Sequence, residues 1–135
     1  METSDTKLAW QCSVDLRISH PTLDPYALTK TLDASPIIAQ APGESRVAHG
    51  ECKSAGYWCT EHKAEYPIRP DALFAWLEQF VSKREEQFQD MIDEGYDVNA
   101  YVGIHTNVLA TGFVLPATPT LWRLGIPIGI EFFSR

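Results

Sequence analysis

The stretch from Pro70 to Ile104 constrains the fold most, because it joins a long amphipathic helix to a strand with one apolar face. Apolar side chains recur in its first part at spacings of three, four and seven, which places them on one face of a helix with 3.6 residues per turn. Pro70 suits the first helical position, and Gly95 suits the end. We therefore predict one continuous helix, with Arg84 in the middle of its apolar face reaching back to water.

Three segments alternate between apolar and polar residues, which is typical of strands that bury one face. They are Trp10–Ile18, Val98–Ile104 and Ile126–Phe132. A hairpin is predicted over Arg46–His62, because Gly56 can supply the positive φ that a tight turn needs. The chain therefore carries five predicted strands.

Two shorter helices have start and stop signals. Asp24 suits an N-cap, and Pro25 suits the first position of the helix that follows it. The next segment, Pro36–Glu44, is predicted to be a loop. Thr118 suits the N-cap of the last helix, and Gly125 suits its end.

The order of elements is strand, helix, hairpin, long helix, strand, short helix and strand, which predicts an α+β fold. We expect a two-layer sandwich with a mainly antiparallel five-stranded sheet and helices on one face, in the ferredoxin-like βαββαβ arrangement with one added strand. The chain is expected to form a single domain, residues 1–135, with residues 1–8 as a flexible tail. The second face of the sheet would stay open to solvent or to a partner.

The charge and the apolar pattern exclude two classes of partner. The net charge is −7 and Lys and Arg do not cluster, so nucleic-acid binding is not expected. No apolar run reaches about 18 residues, and Met1–Lys7 lacks the apolar centre of a signal peptide, so we expect a cytoplasmic protein without a membrane span. Three cysteines, an odd number, argue against a disulfide framework.

One spacing of histidines and cysteines resembles a zinc set. The pattern His-x2-Cys-x6-Cys-x2-His is formed by His49, Cys52, Cys59 and His62. With a two-residue turn, the cysteines share one face of the hairpin and the histidines share the other. With a bulged three-residue loop, each histidine shares a face with the more distant cysteine. Neither register brings four ligands to one point, so we predict no metal site and no other cofactor.

Polar residues on the predicted open face are the best candidates for binding. A carboxylate, a guanidinium, a phenol and an imidazole would share that surface, with Gly103 and Gly129 leaving room for close approach. Tyr57 and Trp58 follow a turn, so one is expected in the core and the other exposed as an anchor for a partner. The candidate binding residues are Asp15, Arg17, Tyr57, Trp58, Tyr101, His105 and Glu131.

Two functions are compatible with this set. The first is a non-catalytic protein-interaction module that binds a protein partner or a second copy of the chain; the acidic charge either steers a basic partner or simply keeps the chain soluble. The second is a small-molecule-binding protein or enzyme, in which Arg17 holds an anionic group and His105 transfers a proton. Signatures of nucleotide binding, hydrolases and metalloproteases are absent, so we favour the first function and predict no catalytic residue.

Four motifs within residues 12–133 carry a family resemblance. They are LRISHPTLDPYALTKTLDASP, GYWCTEH, FVSKREEQFQDMIDEGYDVNAYVGI and LPATPTLWRLGIPIGIEFF. In these motifs the chain resembles the bacterial domain-of-unknown-function family number 4279. The resemblance implies a small, stand-alone cytoplasmic α+β domain without established catalytic residues, and some members look like immunity proteins of toxin systems by their setting. Of the acidic ending expected in that family, the last strand keeps only Glu131.

Overall fold

The computed structural model describes residues 11–43, 55–65, 69–106 and 114–134. Over these ranges it is an α+β fold with one open five-stranded sheet and four helices. The elements are β1 (Gln11–His20), α1 (Pro25–Leu32), β2 (Ile38–Gln40), β3 (Gly56–Glu65), α2 (Pro70–Ser82), α3 (Glu85–Asp93), β4 (Asp97–Thr106), α4 (Pro119–Leu124) and β5 (Ile128–Ser134). The predicted tail and the first half of the predicted hairpin lie outside the described residues. Among the helices of these ranges, none is both long and apolar enough to cross a membrane.

The five strands form a mixed sheet in the order β2-β3-β1-β4-β5. β1 pairs antiparallel with β3 and with β4, and β2 pairs antiparallel with β3, but β5 runs parallel to β4. The prediction of a mainly antiparallel sheet is therefore wrong. The connection from β4 to β5 contains α4. A helical crossover brings the chain back to the end of the sheet at which β4 begins, so the next strand runs parallel to β4, whereas a tight turn would make it antiparallel.

The core lies between one face of the sheet and the apolar faces of the helices. In β1 every second side chain from Cys12 to Ile18 is fully buried, as the alternation predicted. The largest fully buried side chains are Trp58, Phe74, Phe88, Leu16, Ile18, Leu23, Leu32, Leu73, Leu77, Ile104, Leu121 and Val14. Each buried aliphatic or aromatic side chain of this size contributes about 1.5–3 kcal/mol relative to exposure, so the contact between helices and sheet is the main source of stability.

The helix predicted as continuous from Pro70 is two helices, α2 and α3, separated by Lys83 and Arg84. The apolar spacing of seven spans this break, which is why periodicity alone indicated one helix. At the break Arg84 leaves the helical conformation, with φ −125° and ψ 31°. Its guanidinium donates hydrogen bonds to the carbonyls of Phe80 and Leu32, and its Cζ lies 3.8 Å from the centre of the Phe80 ring. Arg84 therefore joins α1 to the end of α2 instead of reaching back to water.

Helix α1 begins where the sequence predicted. Asp24 Oδ1 accepts hydrogen bonds from the backbone N–H groups of Tyr26 and Ala27 at 3.0 and 3.2 Å. The helix ends at Leu32, after which Asp33 adopts a left-handed conformation with φ 51°. Because Asp tolerates this conformation better than most residues, the helix can stop there without a glycine.

The predicted loop Pro36–Glu44 contains a short edge strand, β2, which pairs with the first half of β3. Beside this pairing, the backbone N–H of Ile37 donates to the carbonyl of Cys59 at 2.8 Å. The hydroxyl of Thr60 donates to the carbonyl of Ser35 at 2.9 Å. Three residues are too few to display an alternating pattern, so this strand is defined by its partner and not by its own sequence.

Candidate functional site

The face of the sheet opposite the helices forms one surface, which we call the open face. Residues directly opposite each other in paired strands point to the same side of a sheet, so the register identifies its members. They include Ser13, Asp15, Arg17 and Ser19 of β1, Ile38 and Gln40 of β2, Tyr57, Cys59, Glu61 and Lys63 of β3, Asp97, Asn99, Tyr101, Gly103 and His105 of β4, and Gly129, Glu131 and Phe133 of β5. The buried side chains of the four helices belong to the core on the opposite side. None of these helices therefore covers the open face.

Arg17 forms the centre of the open face with Asp15 and Tyr101. Its Nη2 lies 3.3 Å from Asp15 Oδ2, and its Cζ lies 4.7 Å from the centre of the Tyr101 ring. Partly exposed ion pairs and cation–π contacts contribute about 0–1 kcal/mol each, so these contacts order the side chains more than they stabilise the fold. We expected these three residues on one surface, and Arg17 contacts the other two there.

The two glycines of the open face lie beneath aromatic rings. A Cβ added at Gly129 would lie 3.1 Å from Cδ1 of Tyr101, and one added at Gly103 would lie 3.4 Å from Cε2 of Phe133. Phe133 in turn stacks on His105, with ring centres 4.7 Å apart. The space that we expected these glycines to leave for a ligand is therefore occupied by the protein's own rings.

Tyr57 and Cys59 lie beside this centre on β3. Burial raises the pKa of Tyr57 to about 12, and the neighbouring Cys59 adds to the shift. Burial also raises the pKa of Cys59, and the charge of Asp15 acts in the same direction. In the core, burial raises the pKa of Cys12 to about 11. Both described cysteines are therefore protonated near neutral pH, which is the unreactive form of a thiol, and neither suits a nucleophile.

The remaining candidate residues are divided between the core and the exposed surface. Trp58 is fully buried, and its Nε1 donates to the hydroxyl of Thr29 at 3.0 Å, so it cannot serve as an exposed anchor. Tyr57 lies half-buried on the open face and is the aromatic residue of this pair that a partner could reach. Glu131 is exposed on β5, on the same face.

The residues of the zinc-like pattern do not converge where they are described. Cys59 lies on the open face, whereas His62 lies on the helix side and stacks on Trp76 with ring centres 4.7 Å apart. The sheet itself therefore separates the two side chains. His49 and Cys52 lie outside the described residues. Over the described ranges, no group of three or more His, Cys, Asp or Glu side chains could hold a metal ion.

Two features of the open face were missed by sequence reasoning. Phe133 belongs to it, and the signal was available because Phe133 is two positions from Glu131 and so points the same way. In addition, Asp15 Oδ1 and Gln40 Oε1 are buried without a hydrogen-bond partner in the described part of the chain. An unpaired buried acceptor costs about 1–3 kcal/mol, so each oxygen suits a hydrogen bond from a buried water molecule.

A separate cleft of about 340 Å³ lies between α1 and α3. Its lining combines apolar side chains with three carboxylates, from Leu23, Leu28, Met91, Asp24, Asp90 and Glu94. Asp24 already caps α1, and the described carboxylates form no group suited to a metal ion. We therefore assign no ligand to this cleft, and the open face remains the candidate site.

Comparison with known proteins adds no assignment to this geometry. No family model matches the chain, and neither the curated proteins nor the solved structures contain a significant match. The resemblance to family number 4279 therefore stays a prediction that rests on the sequence motifs.

Proposed function

We propose that the protein is a non-catalytic protein-interaction module, of immunity or regulatory type, which binds a partner protein through the open face. The observation that carries this proposal is the row of aromatic and arginine side chains across four strands of that face. It consists of Tyr57, Arg17, Tyr101, His105 and Phe133. Tyr and Arg are the residue types that most often dominate the binding energy of protein interfaces.

The contacts within the open face support the same proposal. Arg17 is held between Asp15 and the Tyr101 ring, and His105 is held against Phe133. Side chains that are already ordered lose little conformational freedom on binding, which is a main cost of association. The face is therefore prepared for a protein surface of complementary shape.

The charge of the chain favours a basic partner. The net charge is −7, and among its described side chains the open face carries four carboxylates, from Asp15, Glu61, Asp97 and Glu131, against the two cations of Arg17 and Lys63. Complementary charge speeds association and favours a basic partner over an acidic one at the same surface. We infer a cytoplasmic location as well, which is supported by the two described cysteines being free thiols, as is usual in a reducing compartment.

The ferredoxin-like, two-layer arrangement also belongs to this proposal. It is supported by the antiparallel neighbours β2, β3, β1 and β4, in which the βαββαβ order of elements places β1 between β3 and β4. In this interpretation β5 is a strand added beside β4, and the helices form the second layer.

The proposal is tested by affinity capture from a lysate of the host organism with quantitative mass spectrometry. The proteins compared are the wild type, Tyr101→Ala and Tyr26→Ala. Tyr26 is the matched control, because it is the same residue type on α1 and is 79% exposed. We expect a basic protein that the wild type and Tyr26→Ala capture equally and that Tyr101→Ala loses.

With the purified partner, Tyr101→Ala should raise the Kd at least about tenfold, which corresponds to about 1.4 kcal/mol. Circular dichroism should show that both variants remain folded. If every captured protein binds Tyr101→Ala as well as the wild type, the open face is not the binding surface and the proposal fails.

The small-molecule alternative has weaker support in this geometry. The charge of Arg17 is already paired with Asp15, and His105 is stacked on Phe133. A metabolite that raises the melting temperature of the wild type by several degrees, but not that of Arg17→Ala, would favour this alternative over the interaction module.

A further inference from the structure

Strand β5 ends the sheet with a free edge in the described part of the chain. Its side chains on the helix side are apolar, and two of them are not covered by the helices: Ile130 is 41% exposed and Phe132 is 51% exposed. Within the strand, Glu131 is the one side chain with a charge. A free edge with exposed apolar side chains and little charge is a template for pairing with another strand.

The backbone of β5 shows which residues are available for that pairing. The N–H of Ala100 donates to the carbonyl of Pro127 at 2.9 Å, and Ala100 lies opposite Ile128 in the parallel pair. In such a pair, alternate residues direct both backbone groups to the neighbouring strand. Pro127 and every second residue after it therefore direct their backbone groups to β4. The backbone groups of Ile128, Ile130 and Phe132 point to the free edge.

We propose that β5 pairs antiparallel with β5 of a second copy of this chain, about a two-fold axis at Ile130. In this register Ile130 lies opposite its own copy, and Ile128 lies opposite Phe132 of the other copy. Each of these pairs exchanges two hydrogen bonds through the groups that point outward. The same residues place their side chains together on the helix side, so the exposed apolar surface of each copy is buried against its equivalent.

The position of Glu131 selects this register over its neighbour. About a two-fold axis at Ile130, Glu131 lies opposite Gly129 of the other copy, which brings no charge. About an axis at Glu131, the two carboxylates would lie directly opposite each other, and like charges in that position are destabilising. The two sheets would join into one continuous sheet, with the helices of both copies on the same side and both open faces on the other.

The contact is small, because it involves one strand from each copy. Interfaces of this size are typical of weak, reversible association, so we expect a Kd on the order of 1–100 µM. Sedimentation velocity over a concentration series measures this equilibrium for the wild-type chain. Ile130→Lys places two positive charges at the axis, and Ile130→Pro removes an outward N–H without removing a bond to β4.

Both substitutions should raise the Kd at least tenfold, whereas Tyr26→Lys, at an exposed position on α1, should leave it unchanged. Circular dichroism and thermal melts establish that the variants remain folded. A wild-type chain that stays monomeric at several hundred micromolar overturns the proposal. A dimer that neither Ile130 variant weakens also overturns it, because that dimer uses another surface.

The register is tested by oxidation of single added cysteines in a Cys52→Ser background, in which Cys12 and Cys59 are buried. Ile130→Cys should form a disulfide-linked dimer, because the opposed Cα atoms lie about 5.5 Å apart. Phe132→Cys is the matched control, since its two copies are offset by four residues, or about 13 Å, and should not link. Linking of Phe132→Cys but not of Ile130→Cys would overturn the register.

Discussion

Arg84 joins three elements at one end of the core. Its guanidinium bonds to the carbonyl of Leu32 at the end of α1 and to the carbonyl of Phe80 near the end of α2, and Arg84 itself precedes the first residue of α3. Carbonyls in the last turn of a helix lack a partner in that helix, so a charged donor is favourable there. A lysine would supply the charge but not the planar group that reaches two carbonyls at once.

Replacing Arg84 with Met keeps an apolar stem and removes these bonds. We expect Arg84→Met to lower the free energy of unfolding by about 2–3 kcal/mol, because hydrogen bonds from charged donors are among the stronger ones in proteins. Urea denaturation measures the change. Arg123→Met is the control, since it removes an exposed ion pair with Glu85 and should cost less than about 1 kcal/mol. Equal losses in the two variants would contradict the role given to Arg84.

Because of Cys12, we expect the stability of the fold to fall at alkaline pH. Burial raises its pKa from 9.0 to about 11, so between these values the unfolded chain loses a proton that the folded chain keeps. The contribution of this thiol to the free energy of unfolding is therefore complete below pH 9. It is lost as the pH rises from 9 to about 11, at about 1.4 kcal/mol per pH unit.

Cys12→Ala tests this dependence. The variant should be less stable than the wild type near pH 7.5, but it should lose roughly 1 kcal/mol less between pH 7.5 and 10, because it has no thiol to ionise at this position. Chemical denaturation at the two pH values gives both differences. Parallel pH profiles for the two proteins would show that Cys12 is not the source.

At the scale of elements, α4 has the predicted start and end but a different cap. The backbone N–H of Thr120 donates to both carboxylate oxygens of Glu78, at 3.1 and 3.0 Å, whereas the Thr118 side chain makes no capping bond. The carboxylate therefore comes from α2, which packs beside α4. A negative charge at this end of a helix is also favoured by the helix dipole.

This arrangement predicts that the distant residue Glu78 stabilises the start of α4 and that the local N-cap residue Thr118 does not. Glu78→Ala should lower the free energy of unfolding by about 1–2 kcal/mol, because it removes the acceptor that caps α4. Thr118→Ala should change it by less than about 0.5 kcal/mol, since Thr118 caps nothing. Amide hydrogen exchange of α4 should become faster in the first variant only. A larger loss in Thr118→Ala would show that the cap is local after all.

The elements that the sequence predicted are those whose signals lie within their own residues. The alternation of β1 and β4 and the Asp24-Pro25 start of α1 are local, and they appear where they were expected. Three features depend on distant partners and were missed: the strand β2, the break before α3 and the parallel direction of β5. Arg84 lies at the break, where it bonds to the end of α1. The spacing of apolar residues carries no information about that distant contact.

The same distinction applies to the open face. Alternation assigned Asp15, Arg17 and Tyr101 to one side of the sheet, because parity along a strand fixes the side to which a residue points. Contact between side chains depends on register as well, and the register of β5 beside β4 was not predictable without its direction. For this reason the rings over Gly103 and Gly129 were found only in the structure.

At the scale of the whole molecule, the sheet separates the two described members of the zinc-like pattern. Cys59 and His62 lie on opposite faces, so one ion cannot bind both. Dialysis against EDTA should therefore change the melting temperature by less than about 1 °C, whereas removal of a structural zinc would unfold a small domain or lower its stability greatly. A fall of several degrees that added Zn²⁺ reverses would contradict this expectation.

The central position of β1 has a consequence for how the chain reaches its native state. β1 ends at residue 20, but its two neighbours, β3 and β4, begin at residues 56 and 97. During synthesis the apolar residues of β1 emerge long before the strands that enclose them, and pairing of distant segments is slow because a long loop must close first. We therefore expect early nascent chains to bind chaperones through β1, and the release of these chaperones to follow the emergence of β4 from the ribosome.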